Sequence, residues 1–117
     1  DATSDCRAVD GRMVTVEHVL PRNPSRDRHW WVDFPSAEII AAYCNRLGNL
    51  VFLTHDQNRQ ADNNDYAMKR GILQAAAQAF PLTRHAADEE TWTQEVIAAR
   101  TETLIGVLMQ PWGIPTT

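Results

Sequence analysis

A glutamate followed directly by a histidine, at the close of an apolar run, is the arrangement in this chain best suited to chemistry: Val16-Glu17-His18-Val19-Leu20-Pro21. Leu47-Gly48-Asn49-Leu50 comes later, then Asn58 and Lys69. A carboxylate and an amide oxygen are ligands for a hard divalent cation such as Mg²⁺, which keeps several of its waters. An imidazole titrates near neutrality and is suited to take a proton from water. Phosphodiester hydrolysis needs an activated water, charge neutralisation at the phosphate and a stabilised leaving oxygen. This set can supply all three. On that reading His18 is the general base, Glu17 and Asn58 are the metal ligands, and Asn49 orients the base or the substrate. Asn63 and Asn64 are the alternatives to Asn58.

Two strands must carry these groups. Arg12 to Leu20 is rich in β-branched residues and ends at Pro21, which has no N–H to donate. Neighbouring strand residues point to opposite faces, so Glu17 and His18 can share a site only where the strand ends or bulges. Asn49 to Leu53, short and apolar between turn formers, is the second strand. Arg22 to Asp33 reads as a loop. A helix over 37–46 follows, with Ser36 as its N-cap and Gly48 as a left-handed residue after its end. Residues 55–64 read as a solvated loop or frayed turn. A helix capped by Asp62, Asn63 or Asn64 runs to about Ala79, where Pro81 stops it. Thr91 caps a last helix with a stripe of Trp92, Val96, Ile97, Leu104, Val107 and Leu108, ending at Pro111. The fold class is α+β: a two-stranded antiparallel hairpin with a crossing helix and additional flanking helices.

The 117 residues form one domain, with ordinary contents of 44% hydrophobic and 22% charged residues. No apolar run is long enough to span a bilayer. The chain starts at Asp1 without a methionine or a signal peptide, and is expected to be the C-terminal fragment of a larger protein. Cys6 and Cys44 lack zinc-site spacing and are expected as free thiols in a reducing compartment, a disulfide being the alternative. The net charge of −4 argues against self-sufficient nucleic-acid binding, because such affinity comes largely from neutralised phosphates. Arg22, Arg26, Arg28 and His29 nonetheless cluster just past Glu17-His18. Ten of the eleven basic residues are arginine, the better bidentate phosphate ligand. A basic lip on an acidic body suits catalysis on DNA that another domain delivers.

Glu-His-Val-Leu-Pro at 17–21, Leu-Gly-Asn-Leu at 47–50, Asn58 with Lys69, and Trp92-Thr93 with Arg100 resemble, in that order, the HNH (His-Me finger) nuclease domain of GmrSD-type modification-dependent restriction endonucleases. The resemblance spans about Val14 to Trp112. It implies a ββα-metal core, a metal-dependent DNA endonuclease and a role in anti-phage restriction in the cytoplasm. It also implies that phage or modified DNA is the substrate. The implied partner is a ParB-like NTPase domain, fused upstream or on a separate chain. Carried over by position, His18 is the base, Glu17 and Asn58 hold Mg²⁺ or Mn²⁺, Asn49 orients the base or phosphate, and Lys69 and Arg100 touch phosphate or support the site. The segment from His18 to Asn49 is longer than a minimal HNH hairpin and contains an insertion.

Each residue also has an ordinary reading. Asn49 after glycine suits a turn, Asn58 a loop, Lys69 and Arg70 a solvated helix face, and Arg100 an ion pair with Glu95 or Glu102. His29, His55 and His85 read as surface, with His55 the one nearest the candidate set. Trp30, Trp31, Trp92 and Trp112 read as packing, although Trp30-Trp31 beside the arginines could also lie near DNA. The rival functions are a non-catalytic HNH-fold module that binds DNA or a partner, and a hydrolase acting on RNA or another phosphate ester.

Overall fold

A computed structural model describes residues 8–9 and 12–109; the expectations concerning Cys6, Pro111 and Trp112 lie outside them. Strand β1 (Ala8–Val9) pairs antiparallel with β2 (Arg12–His18), and β2 pairs antiparallel with β3 (Leu50–Thr54). The expected hairpin of β2 and β3 therefore carries a short third strand on its outer side, in the order β1-β2-β3. Its register sets Glu17 opposite Val51 and His18 opposite Leu50. The pairing is extended where Val19 N–H donates to the Asn49 carbonyl at 3.0 Å.

Between β2 and β3 lies an inserted segment. It holds a single helical turn α1 (Trp30–Asp33), helix α2 (Ala37–Cys44) and a tight turn at Leu47–Asn49. The Ser36 hydroxyl caps α2 by accepting from Ile39 N–H at 3.1 Å. Gly48 is not a left-handed helix end. It is required because a later helix, α6 (Gln94–Met109), crosses directly over the turn. A Cβ at position 48 would collide with the Ile97 carbonyl and come within 2.6 Å of Thr101 Oγ1.

The stretch read from sequence as a loop or frayed turn after β3 is a helix, α3 (His55–Ala61). Thr54 and Gln57 form a reciprocal capping box that satisfies two of the free N–H groups of its first turn. The helix packs on both β2 and β3, so β2, β3 and α3 form one ββα unit. Asp62 ends it with φ 38°, a backbone state few side chains adopt.

Helices α4 (Tyr66–Ala76) and α5 (Pro81–Ala87) follow. Asp65 precedes α4 in the cap position, but its carboxylate accepts from His29 N–H at 2.8 Å and not from the helix. Pro81 both follows one helix and starts another, its fixed φ suiting the first helical position. The buried Thr83 hydroxyl of α5 donates to the Phe52 carbonyl at 2.6 Å and accepts from Phe52 N–H at 3.1 Å. It thus satisfies backbone groups on the open edge of β3, which would otherwise invite pairing with another chain. Helix α6 is capped by Thr93, not Thr91: the Thr93 hydroxyl accepts from Val96 N–H at 3.3 Å.

The core lies between the hairpin and the helices, around Leu20, Phe34, Leu53, Leu73 and Ile97. Aromatic rings bind the insertion to the C-terminal half. Tyr66 meets Trp30 edge-on at 6.4 Å and stacks on Trp92 at 5.3 Å. Its hydroxyl donates to the Glu89 carbonyl at 2.6 Å. Burial, assisted by Glu89 and opposed by Arg70, pushes the Tyr66 phenol from its ordinary 10.0 to about 12. The folded state then holds this proton more tightly than the unfolded chain does. Its contribution to stability is complete below about pH 10 and is lost as pH rises toward about 12. Urea unfolding followed at increasing alkaline pH is expected to show that decline, and Tyr66→Phe to lack it.

Candidate active site

At the end of β2 opens a cleft of about 590 Å³, lined by Glu17, His18, Pro21, Arg22, Asn23, His55, Asn58, Arg59, Asp62 and Asn63. Glu17 and His18, adjacent at the end of β2, both line it. Asn58 enters from α3, whose capping box fixes the start of the helix against the hairpin. Its Nδ2 donates to Thr15 Oγ1 at 2.8 Å. His18 Nε2 donates to Asn45 Oδ1 at 3.1 Å. Among the described residues no three His, Cys, Asp or Glu side chains are grouped to hold a metal ion. The hard oxygen donors in the lining are two carboxylates, Glu17 and Asp62, and three side-chain amides, Asn23, Asn58 and Asn63.

Glu17 is nearly buried. Its Oε2 meets Lys69 Nζ at 3.1 Å, with side-chain exposures of 12% and 1%. Burial pushes the Glu17 carboxyl above its ordinary range, an effect the Lys69 ammonium opposes. Burial likewise pulls the Lys69 ammonium down, opposed by Glu17. The pair persists because attraction at contact distance offsets the cost of desolvating both groups. Lys69 also donates to the His18 carbonyl at 3.1 Å and the Val19 carbonyl at 2.9 Å. All three of its protons are engaged within the protein. Lys69 therefore stands beneath the strand end, and the expectation that it contacts phosphate gives way to a supporting role.

Asn49 is likewise inside the protein, fully buried. Its Oδ1 accepts from Leu20 N–H at 2.8 Å and Trp92 Nε1–H at 2.9 Å. Its Nδ2 donates to the Leu20 carbonyl at 3.0 Å and the Cys44 carbonyl at 2.8 Å. No polar atom of this side chain is left for substrate, so any orienting effect must pass through the backbone it grips.

Arg100 is 1% exposed, and its hydrogen bonds go to neither Glu95 nor Glu102. Its Nε donates to the Gly48 carbonyl at 2.8 Å, its Nη1 to His85 Nδ1 at 2.7 Å, and its guanidinium lies 5.4 Å from the Trp92 ring centroid. It latches α6 onto the turn before Asn49, and His85 is its partner. Burial draws this guanidinium below its ordinary range, although Glu89 opposes the effect.

Of the expected basic cluster, Arg22 borders the cleft. Arg26 instead lies over the Trp31 ring at 4.0 Å, and Arg28 lines a separate depression beside Asp65 and Met68. Arg59 and His55 complete the cleft; sequence reasoning passed over Arg59 and treated His55 as surface. Trp30 and Trp31 spend their indole N–H groups on the Asn64 carbonyl and the Ser25 carbonyl, each at 3.0 Å. Cys44 is a buried free thiol.

With this geometry established, comparison with known families is decisive on one point: residues 2–107 match the family described as GmrSD restriction endonucleases, C-terminal domain. The chain belongs to that family. No curated protein and no solved structure matches it. Within the GmrSD C-terminal domain, the four sequence phrases that carried the resemblance serve two different purposes. Glu17, His18 and Asn58 border the cleft, whereas Asn49, Lys69 and Arg100 brace the backbone behind it. Among the described residues, no helix is long and apolar enough to cross a membrane.

Proposed function

We propose that this GmrSD C-terminal domain is an HNH-type endonuclease that hydrolyses DNA phosphodiester bonds with a single divalent cation. The observation that carries the reading is that Glu17, His18 and Asn58 line one cleft at the end of β2. The ordering of β2, β3 and α3 agrees with a ββα-metal core. Glu17 and the Asn58 amide oxygen would hold Mg²⁺ or Mn²⁺, both being hard oxygen donors of the kind such ions take. When bound, the ion supplies Lewis-acid stabilisation of the phosphate and of the departing oxygen. His18 takes the proton from the attacking water. Arg22 and Arg59, which line the cleft, hold neighbouring phosphates, whereas Arg26 and Arg28 are not among its lining residues.

The acidic body of the domain is expected to depend on another module for DNA affinity. The module in this proposal is a ParB-like NTPase domain, fused or on a separate chain, that selects phage or modified DNA in the cytoplasm. Plasmid nicking is the test. Supercoiled DNA should be nicked with Mg²⁺ or Mn²⁺, leaving 5′-phosphate and 3′-hydroxyl ends, and chelation of the metal should abolish the activity. No nicking under any divalent metal, with salt-sensitive DNA binding retained, would instead identify a non-catalytic binding module. Preferential cleavage of RNA would redirect the substrate assignment.

A further inference from the structure

The imidazole of His18 is gripped through its far nitrogen by a residue that the sequence did not single out. Asn45 ends α2, with its own N–H donating to the Tyr43 carbonyl. The residues on either side of it are tied down. The Cys44 carbonyl accepts from Asn49 Nδ2 at 2.8 Å, and Arg46 Nε donates to the Ala42 carbonyl at 3.1 Å with its guanidinium over the Tyr43 ring at 4.1 Å. The same buried Asn49 amide also holds both backbone groups of Leu20, two residues past His18. One side chain thus clamps the strand end that carries the imidazole to the helix end that carries its acceptor. Lys69 adds a third restraint at the His18 carbonyl.

A neutral imidazole has one N–H and one lone pair, and which nitrogen holds the hydrogen is set by the bond the ring makes. An amide oxygen can only accept. Asn45 Oδ1 at 3.1 Å therefore keeps the hydrogen on Nε2 and leaves the Nδ1 lone pair free. We propose that Asn45 is a positioning residue that selects this tautomer and makes Nδ1 the base nitrogen; the proposal rests on the reading of His18 as the general base. In the step, Nδ1 takes a proton from water as the water oxygen bonds to phosphorus. The bond from phosphorus to the 3′-oxygen breaks, the oxygen keeps the electron pair, and solvent protonates it. As His18 becomes imidazolium, the Nε2–H bond to Asn45 becomes charge-assisted and strengthens. An interaction that strengthens only as charge develops raises the rate of the chemical step and leaves substrate binding nearly untouched. The insertion between β2 and β3 thereby gains a purpose: it carries the acceptor to the base.

Two measurements on the whole chain test this. Nitrogen-15 NMR of the His18 ring, assigned by comparison with His18→Gln, should show the Nε2–H tautomer in the unaltered protein without metal or DNA. Asn45→Ala should give a mixture of tautomers, and Asn45→Asp, which keeps an accepting oxygen, should restore the Nε2–H form. In nicking assays Asn45→Ala should lower kcat roughly 10- to 100-fold, with KM changed by less than about twofold, and Asn45→Asp should recover most of the loss. A dominant Nδ1–H tautomer in the unaltered protein, or wild-type kcat in Asn45→Ala, would overturn the assignment. No nicking by the unaltered chain would overturn the nuclease reading itself, and with it any role of Asn45 in hydrolysis. Normal tautomer behaviour alongside a KM defect alone would remove Asn45 from the chemical step.

Discussion

Lys69→Met is expected to destabilise the domain by about 3–5 kcal/mol, the range for removing one partner from a buried ion pair. The methionine fills similar space but leaves the Glu17 carboxylate without its cation and the His18 and Val19 carbonyls without their donor. A buried carboxylate so abandoned escapes the cost by taking up a proton. In the variant the force that opposed the upward shift of Glu17 is gone, so its folded-state value rises further above that of the unfolded chain. The sign follows: the variant should be most stable at acid pH and lose stability as pH rises through the folded-state value of Glu17. Urea unfolding read by tryptophan fluorescence across pH checks both magnitude and direction. The double variant Glu17→Gln/Lys69→Met should recover part of the loss, since the uncompensated charge is gone. A Lys69→Met protein as stable as the original at neutral pH would show that the pair contributes little.

The buried placement of Lys69 also shows what the sequence could and could not reveal. Tyr66, Lys69, Leu73 and Ala76 fall on one helical face, and the last three are buried. That spacing already pointed Lys69 inward, but a charged side chain is ordinarily assigned to solvent. Arg100 repeats the pattern between Ile97 and Leu104, both buried. In each case the periodicity was present and the residue type outweighed it.

The strand ending at Glu17-His18 was legible because Pro21 and the β-branched run are local signals. Helix α3 was missed despite the Thr54–Gln57 capping box, because only Ala61 of its residues is buried and no apolar stripe marks it. Helix α5 was hidden by its proline, which reads equally as a stop or a start. Asn45 was beyond sequence reasoning altogether: its importance arises from a contact with His18 across the insertion, and nothing in its neighbourhood along the chain announces a partner.

Asn49 occupies the middle ground. Its position after Gly48 drew notice in the sequence, while its four buried hydrogen bonds make it a clamp on two backbone segments and leave no polar atom of its side chain free. The division between cleft-facing and bracing residues then separates two kinds of variant. Changes at Lys69 and Arg100 should act through stability, whereas changes at His18 should act on the reaction with folding unaltered.

His18 lies at the surface of the cleft, half-buried, and its ring makes a single hydrogen bond to an exposed partner. His18→Ala is therefore expected to fold normally while losing the proton acceptor, lowering the nicking rate roughly 100- to 10,000-fold. The direct measurement is single-turnover nicking of supercoiled plasmid by His18→Ala and the unaltered chain, at equal metal concentration, with unfolding midpoints measured on the same samples. A loss of that size with matching midpoints is the expected result. Nicking at the wild-type rate by a folded His18→Ala protein would contradict the assignment of the cleft as the catalytic centre.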